Sequence, residues 1–370
     1  MLQKYVKLYA RGIVLDMGTG SGIQALTPLA KAKKVYAVDV NKAALENLRK
    51  ENKKIIILHS DLFSAFKRKK IKFDTIIFNP PYLPNGKASN PALDGGIKGF
   101  ELIEQFLIEA KYHLSKKGII LLLFSSLSNK PKIDEILQTN LYSFQELEKH
   151  HIFFEDLFVY KIEKSPVLLA LEKQKLADVK YLAHGKRGIV FTGKYKGKLV
   201  AIKTKRPQSL AIERMENEAR ILRLVNQKGI GPKFLFSGKD LLVYEFVKGS
   251  FFLDCIKKAG KVRIVEVINN LFFQLFTLDK LKINKEEMTR PRKHIIIGKK
   301  PVLIDFERAH HTGKPSNVTQ FCSFLTSRFV MGLLVSKGFF IDKEKIIELS
   351  KQYKLNMNVK SLNKIKEEFR

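Results

Sequence analysis

The stretch Val14-Leu15-Asp16-Met17-Gly18-Thr19-Gly20-Ser21-Gly22 decides the fold. An apolar run ends in a carboxylate, glycines follow at alternate positions, and a helical pattern opens at Ile23. Glycines in such a strand-to-helix turn permit left-handed backbone and let a ligand approach the main chain closely. Alone, this is a generic nucleotide-site signal, and a plain tight turn would read the same way. The next apolar run, Lys34–Val38, ends in Asp39, about 20 residues after the glycines, where a carboxylate can accept both hydroxyls of a ribose. A third run, Ile55–His59, is followed by Asp61, and a fourth, Thr75–Phe78, ends in Asn79-Pro80-Pro81-Tyr82. In open α/β sheets ligands bind at the carboxyl ends of the strands, so these residues are expected along one edge.

Working outward, further apolar runs at Ile119–Phe124 and Phe158–Ile162 read as strands, as does Ile13–Leu15. Helical patterns lie between the runs, at Ile23–Ala32, Lys42–Glu51, Gly99–Leu114 and Lys130–Thr139. Continuous Val/Ile/Leu runs alternating with helices predict an α/β fold with a doubly wound sheet. The rhythm changes at residues 164–178, a helix-like linker. Tyr181–Lys205 then reads as three strands separated by turns, Leu210–Asn226 as a helix and Leu241–Phe246 as a strand. The remainder, Ser250–Arg370, is mostly helical apart from a strand pair around His294–Ile304. The expected organisation is one domain over residues 1–163 and a small bilobal α+β domain over 179–370, with lobes 179–247 and 248–370.

The chain has 370 residues, 45% apolar and 28% charged, which suits two or three ordered domains and excludes a disordered chain. Cys255 and Cys322 are too few for a disulfide framework or a four-cysteine zinc site, which fits a reducing compartment and a cytoplasmic protein. No segment approaches the roughly 20 apolar residues of a membrane span. The balance of 68 basic and 36 acidic residues, +32, suits a polyanionic neighbour such as RNA or a ribosome. A uniformly Lys-rich surface explains it equally well. His150-His151 and His310-His311 lack further ligands at metal-binding spacing and read as structural or surface residues.

Asn79-Pro80-Pro81-Tyr82 is the most specific motif. The nitrogen of an amide or an adenine amino group is a poor nucleophile because its lone pair is conjugated. Acceptors for both of its N–H hydrogens, the Asn79 side chain and the Pro80 carbonyl, would raise electron density there as it attacks an activated methyl group. That work is positioning and stabilisation of developing charge. The prolines stiffen the turn, and Tyr82 offers a flat face for stacking.

With the glycine turn, Asp39 and Asp61 before it, this motif resembles the class I S-adenosylmethionine-dependent methyltransferases, and among them the HemK-type glutamine methyltransferases, across roughly residues 1–162. The resemblance extends to Ala92-Leu93-Asp94-Gly95-Gly96, Gly99 and Leu123-Phe124-Ser125-Ser126-Leu127. It implies a Rossmann-like domain that methylates the Gly-Gly-Gln glutamine of a translation release factor, as the archaeal and eukaryotic branch does, with a small activator protein as a further partner. Asp16, Gly18, Thr19, Gly20, Asp39 and Asp61 would hold the cofactor, and Asn79, Pro80, Pro81 and Tyr82 the substrate amide. The acidic, Pro-containing segment usual before the first helix in that family is expected to be absent here, since the sequence opens at or after that point.

In the second half, Gly185-Lys186-Arg187-Gly188 is spaced like the end of a nucleotide-covering loop, and Val200-Ala201-Ile202-Lys203 follows it. A lysine on such a strand reaches ATP phosphates while a helix carboxylate, Glu218 or secondarily Glu216, holds it. Leu303-Ile304-Asp305-Phe306-Glu307 is similar to a metal-binding Asp-Phe turn with Glu in place of Gly. These residues resemble the RIO-type atypical protein kinases over about 178–330, which implies ATP and Mg as ligands and Tyr244-Glu245-Phe246 as the hinge. Glu287 would stand in for the catalytic Asp, and His294 would take the region of the metal-binding Asn beside Asp305. Two rival readings stand beside release-factor methylation. One is adenine-N6 methylation of nucleic acid; the other is a regulatory Ser/Thr kinase or scaffold with a degenerate methyltransferase half.

Overall fold

Continuous apolar runs become strands whose alternate side chains enter two different cores. The structure, a computed structural model, describes residues 1–67, 69, 71–81, 99–184, 188–205 and 212–370. It divides into two compact units, Met1–Lys175 and Leu176–Arg370.

The first unit contains, in order, α1 (Leu2–Tyr9), β1 (Gly12–Met17), α2 (Ile23–Leu26), β2 (Ala32–Asp39), α3 (Lys42–Glu51), β3 (Ile55–His59), β4 (Phe73–Phe78), α4 (Glu101–His113), β5 (Leu114–Ser125), α5 (Lys130–Thr139), β6 (Tyr142–Ile152), β7 (Glu155–Lys164) and α6 (Pro166–Lys173). The strands form one sheet in the order β3-β2-β1-β4-β5-β7-β6. β1 to β5 are parallel, whereas β7 runs antiparallel to β5 and to β6, so the sheet is mixed. On β5, Ile120, Leu122 and Phe124 pack with Ile103, Phe106 and Leu107 of α4 and Ile133 and Ile136 of α5. Ile119, Leu121 and Leu123 enter the opposite core with Leu2, Tyr5 and Val6 of α1. This period-two division is why buried strands read as unbroken apolar runs.

Two elements of this unit escape an apolar-run reading. The strand β6 lies at the sheet edge and pairs only with β7, so Ser143, Gln145, Glu146, Lys149 and His150 point to solvent and no hydrophobic run marks it. Helix α1 is only eight residues long, with Lys4 between its buried positions and Lys7 after them. The helix expected over Ile23–Ala32 ends at Leu26, because Pro28 restricts the residue before it and the chain continues in turns.

The second unit begins with β8 (Ala177–His184), β9 (Gly188–Tyr195), β10 (Lys198–Lys205), α7 (Ile212–Asn226), β11 (Phe234–Gly238) and β12 (Leu241–Glu245). The strands make an antiparallel sheet in the order β11-β12-β10-β9-β8. There follow β13 (Ser250–Phe251), α8 (Phe252–Lys258), α9 (Lys261–Lys280), β14 (Ile283–Asn284), β15 (Ile295–Ile297), β16 (Pro301–Leu303) and β17 (His310–His311). The chain closes with α10 (Asn317–Leu325), α11 (Arg328–Val335), α12 (Lys343–Asn356) and α13 (Val359–Glu367). Ile221, Leu222 and Val225 of α7 share a core with Phe252, Leu271, Phe272, Leu275 and Phe321 of the helical part. Phe273, within the expected buried helix, points outward. Helix α6, inside the stretch read as a linker, is counted with the first unit and buries Leu168 and Leu171. Among the described residues no single helix is long and apolar enough to cross a membrane.

Candidate functional site

The turn after β1 takes positive φ at Gly18, Gly20 and Gly22 (65°, 51° and 81°), a conformation that side chains resist. A Cβ at Gly22 would lie 2.4 Å from Leu48, so helix packing also requires glycine there. At Gly20 a Cβ would meet nothing within 4 Å, which leaves that side of the turn open to a ligand. The turn is stitched to β2 by two bonds. Thr19 N–H donates to the Val38 carbonyl at 2.9 Å, and Gly20 N–H donates to Asp39 Oδ2 at 2.8 Å. Asp39 Oδ1 accepts the Asn41 N–H at 2.8 Å. Each Asp39 oxygen thus makes one bond to the main chain and keeps a second lone pair for a donor such as a diol. Asp16 is 2% exposed, and burial pushes its carboxyl up to about 7, against the Thr19 hydroxyl that donates to it at 2.6 Å.

Register brings the fourth strand's tip beside this turn. Met17 pairs with Phe78, so the residues that follow, Gly18 and Asn79, leave neighbouring strands whose axes lie about 4.8 Å apart. A Cβ on Gly18 would touch the Phe78 ring at 3.7 Å. Asn79 is exposed, Pro80 buried and Pro81 half-buried. On the other side Asp39 pairs with His59, and Ser60 N–H donates to the Asp39 carbonyl at 3.0 Å. Asp61 is exposed just beyond, its N–H bonded to Ser64 Oγ at 3.1 Å. Asp16, Gly18, Thr19, Gly20, Asp39, Asp61, Asn79, Pro80 and Pro81 therefore lie along the carboxyl ends of four adjacent strands. Tyr82 and the motif at 92–96 lie outside the described residues.

The second unit brings together Lys203 from β10, Glu218 from α7, and Asp305 and Glu307 after β16. Lys203 Nζ lies 2.6 Å from Glu218 Oε2, 2.9 Å from Asp305 Oδ1 and 3.5 Å from Glu307 Oε2. Glu218 Oε1 also accepts the Phe306 N–H at 3.2 Å, which ties α7 to the Asp305 turn. Burial opposes a charge on Lys203, but Glu218 and Asp305 outweigh it and raise its pKa well above the usual lysine value. Burial would likewise raise Asp305, yet Lys203 and Lys285 hold its carboxyl down at about 2. The carboxylates of Glu218, Asp305 and Glu307 lie close enough to share a metal ion.

Glu287 does not join that cluster directly. Its Oε2 is 3.1 Å from Nζ of Lys285, a fully buried lysine that also donates to the Asp305 carbonyl and lies over the Phe306 ring at 4.9 Å. His294 Nδ1 sits 3.7 Å from Asp305 Oδ2, and burial lowers its pKa, reinforced by the charge of Lys285. Glu216 is exposed, Gly188 opens β9 with a Cβ position 2.9 Å from the Thr204 carbonyl, and Gly185 lies outside the described residues. His151 pairs with Asp156 on the exposed edge hairpin, remote in sequence and chemistry from either cluster.

Sequence reasoning passed over Lys285 and Asp279. Buried Asp279 on α9 accepts bonds from Asn317 N and Nδ2, Val318 N and the Tyr353 hydroxyl, while Asn317 Oδ1 receives the Lys285 N–H at 2.7 Å. A lysine two residues before Glu287 was the available signal for the first. For Asp279, an acid near the end of a largely apolar helix was all the sequence offered.

Comparison with known proteins finds likeness over the first unit. The methyltransferase small domain family matches residues 1–154. A Methanocaldococcus jannaschii protein assigned as an N5-glutamine methyltransferase is 34% identical over 157 residues, 40% of this chain and 78% of that protein. A release factor glutamine methyltransferase of Bacillus cereus is 34% identical over 125 residues, 29% of this chain, and the chain spans 44% of its length. Among solved structures, the E. cuniculi Mtq2–Trm112 complex, responsible for methylation of the eRF1 translation termination factor, is 26% identical with a TM-score of 0.37, over 44% of this chain and 93% of that one.

Proposed function

Because this chain belongs, through residues 1–154, to the methyltransferase small domain family, we propose that its first unit methylates the side-chain amide nitrogen of the Gly-Gly-Gln glutamine in a translation release factor. The observation that carries the reading is the register placing Asn79 beside Gly18, with Asp39 holding Gly20 on the other flank. S-adenosylmethionine would supply a sulfonium-activated methyl group: as the amide nitrogen bonds to that carbon the carbon–sulfur bond breaks to leave a neutral thioether, and the nitrogen gives up one N–H proton to solvent. Asp39 would accept hydrogen bonds from its ribose hydroxyls, and the open side of Gly20 suits close approach of its main body. Asp16, Gly18, Thr19 and Asp61 complete that side of the site. Asn79 Oδ1 and the Pro80 carbonyl accept the two amide hydrogens, so the nitrogen's electrons are directed outward, and Tyr82 stacks on the amide plane.

Partners in this reading are a release factor and a small activator protein, met in the cytoplasm near the ribosome, where a net charge of +32 is an advantage. The test is transfer of label from S-adenosylmethionine to a release factor, with the Gly-Gly-Gln glutamine intact or changed to Ala. Label that depends on that glutamine supports the reading. Label on DNA or RNA alone would favour adenine-N6 methylation instead.

A second reading concerns the second unit, favoured by the contacts of Lys203 with Glu218 and Asp305. It is a RIO-like ATP-binding domain in which Lys203 would hold the phosphates, Gly185 and Gly188 would belong to the covering loop, and Asp305 with His294 would hold Mg. Glu287, which pairs with Lys285 at 3.1 Å, would have to leave that lysine to act as the base for phosphotransfer to Ser or Thr. Calorimetry with Mg–ATP on the full chain tests it: affinity that Lys203→Ala weakens supports it, and no affinity in the intact protein removes it. ATP binding without methyl transfer would point to the regulatory scaffold.

A further inference from the structure

Helices α10, α11 and α12 enclose a cavity of about 490 Å³ in the second unit, within the size range of small-molecule sites. Its lining is electrostatically one-sided. Arg328, the first residue of α11, contributes to it, as do Lys343, Lys351 and Lys354 of α12, and no Asp or Glu does. Among the described residues, none of these four cations has an acidic partner within 4.0 Å. Neighbouring Lys345, by contrast, turns away and pairs with Glu368 at 2.8 Å. On α12, positions 343, 351 and 354 fall within one face, so the three lysines share one side of the cavity, exposed to solvent as is Arg328.

Polar donors in the same cavity add to the field. Ser327 precedes α11, but its hydroxyl donates back to the Phe324 carbonyl at 2.7 Å and does not cap the helix. The first-turn N–H groups beside Arg328 are thus left without a side-chain cap. The buried Oγ of Ser350 has no oxygen or nitrogen partner among the described residues. Four like charges facing one hollow repel one another unless an anion lies among them.

We propose that this cavity binds a compact oligophosphate, a small molecule carrying two or more linked phosphates, separately from the Lys203 cluster. Several charges must be matched around one open hollow, which a single phosphate cannot do. An extended nucleic acid would need a basic stripe along a face, and this is a bowl.

The test is titration of the full chain with inorganic tripolyphosphate, followed by calorimetry and by thermal melting. Lys351→Gln and Lys354→Gln should each weaken binding about tenfold or more, the scale of losing a hydrogen bond to a charged group. Lys360→Gln, an equal loss of charge at an exposed position of α13 outside the cavity, should leave affinity unchanged. Orthophosphate should bind at least about tenfold more weakly than tripolyphosphate. Unchanged affinity in both cavity variants overturns the proposal, as does an equal loss in Lys360→Gln, which would mean non-specific attraction. Tighter binding of a single-stranded RNA that displaces tripolyphosphate would assign the cavity to a nucleic acid instead.

Discussion

Asp39 Oδ2, at the end of β2, accepts the N–H of Gly20 in the turn after β1 at 2.8 Å. One carboxylate therefore shapes the glycine turn and also faces the ligand side of the sheet. Removing it in Asp39→Ala leaves the Gly20 and Asn41 N–H groups without their acceptor and deprives a ribose of its partner. Affinity for S-adenosylhomocysteine is expected to fall about tenfold or more, read by calorimetry. Undiminished affinity would take Asp39 out of the site.

Asn79 is exposed at the strand tip and contributes little to the core. Asn79→Ala is expected to lower methyl transfer by about 100-fold or more while S-adenosylhomocysteine still binds with near-native affinity. Single-turnover transfer and calorimetry on the same preparation separate the two. Weakened binding with intact turnover contradicts the role assigned to Asn79.

Asp16 gives the first unit a pH signature. Its folded carboxyl titrates near 7, raised by burial from 3.8, so the native state holds a proton that the unfolded chain has released. The stabilisation is fully present below about pH 4 and is lost as pH rises through 7. Asp16→Asn, which cannot ionise, should lack this loss. Denaturant unfolding at pH 5 and pH 8 should show wild type losing a few kcal/mol relative to the variant across that interval. A difference between the two proteins that does not change with pH would mean Asp16 titrates normally.

Lys203 is the cation around which Glu218, Asp305 and Glu307 gather. Lys203→Met removes the nearest cation from three carboxylates; Asp305 keeps Lys285 and Glu307 keeps Arg214 at 3.6 Å, so buried Glu218 loses most, and a lower melting temperature is expected, on the order of 3 kcal/mol of stability. Manganese or magnesium should then restore part of it, because hard divalent cations suit carboxylate oxygens. Melting with and without the metal checks this; a variant no more responsive to metal than wild type argues against a shared ion site.

Asp279 gathers four donors inside the helical core. Asp279→Ala strands them in a dry interior, and a loss of roughly 3–5 kcal/mol is expected. Chemical denaturation followed by the signal of the second unit measures it, and a loss below about 1 kcal/mol would show that water replaces the carboxylate.

Much of the first unit was legible because its central strands are buried on both faces. Val14–Met17, Val35–Val38 and Ile76–Phe78 carry the fold in their composition alone. The edge strand β6 was not legible, since one face and one edge meet water and its polar side chains erase the pattern. The glycine turn, Asp39 and the Asn79 turn were also readable, because each follows its strand directly and parallel strands deliver their ends to one side.

By itself the sequence determined which residues end the strands and that the glycines need left-handed backbone, and it singled out Lys203 and Asp305 by their resemblance to nucleotide-site residues. These are local properties, written in steric limits and short-range pattern. Only the tertiary structure decided that Met17 aligns with Phe78, so that Gly18 and Asn79 emerge side by side. It alone placed Lys285 between Glu287 and the Asp305 carbonyl, and set four cationic residues around one cavity. Those relationships depend on strand register and on helices meeting across long sequence separations, where packing and electrostatics act between residues that no local pattern connects.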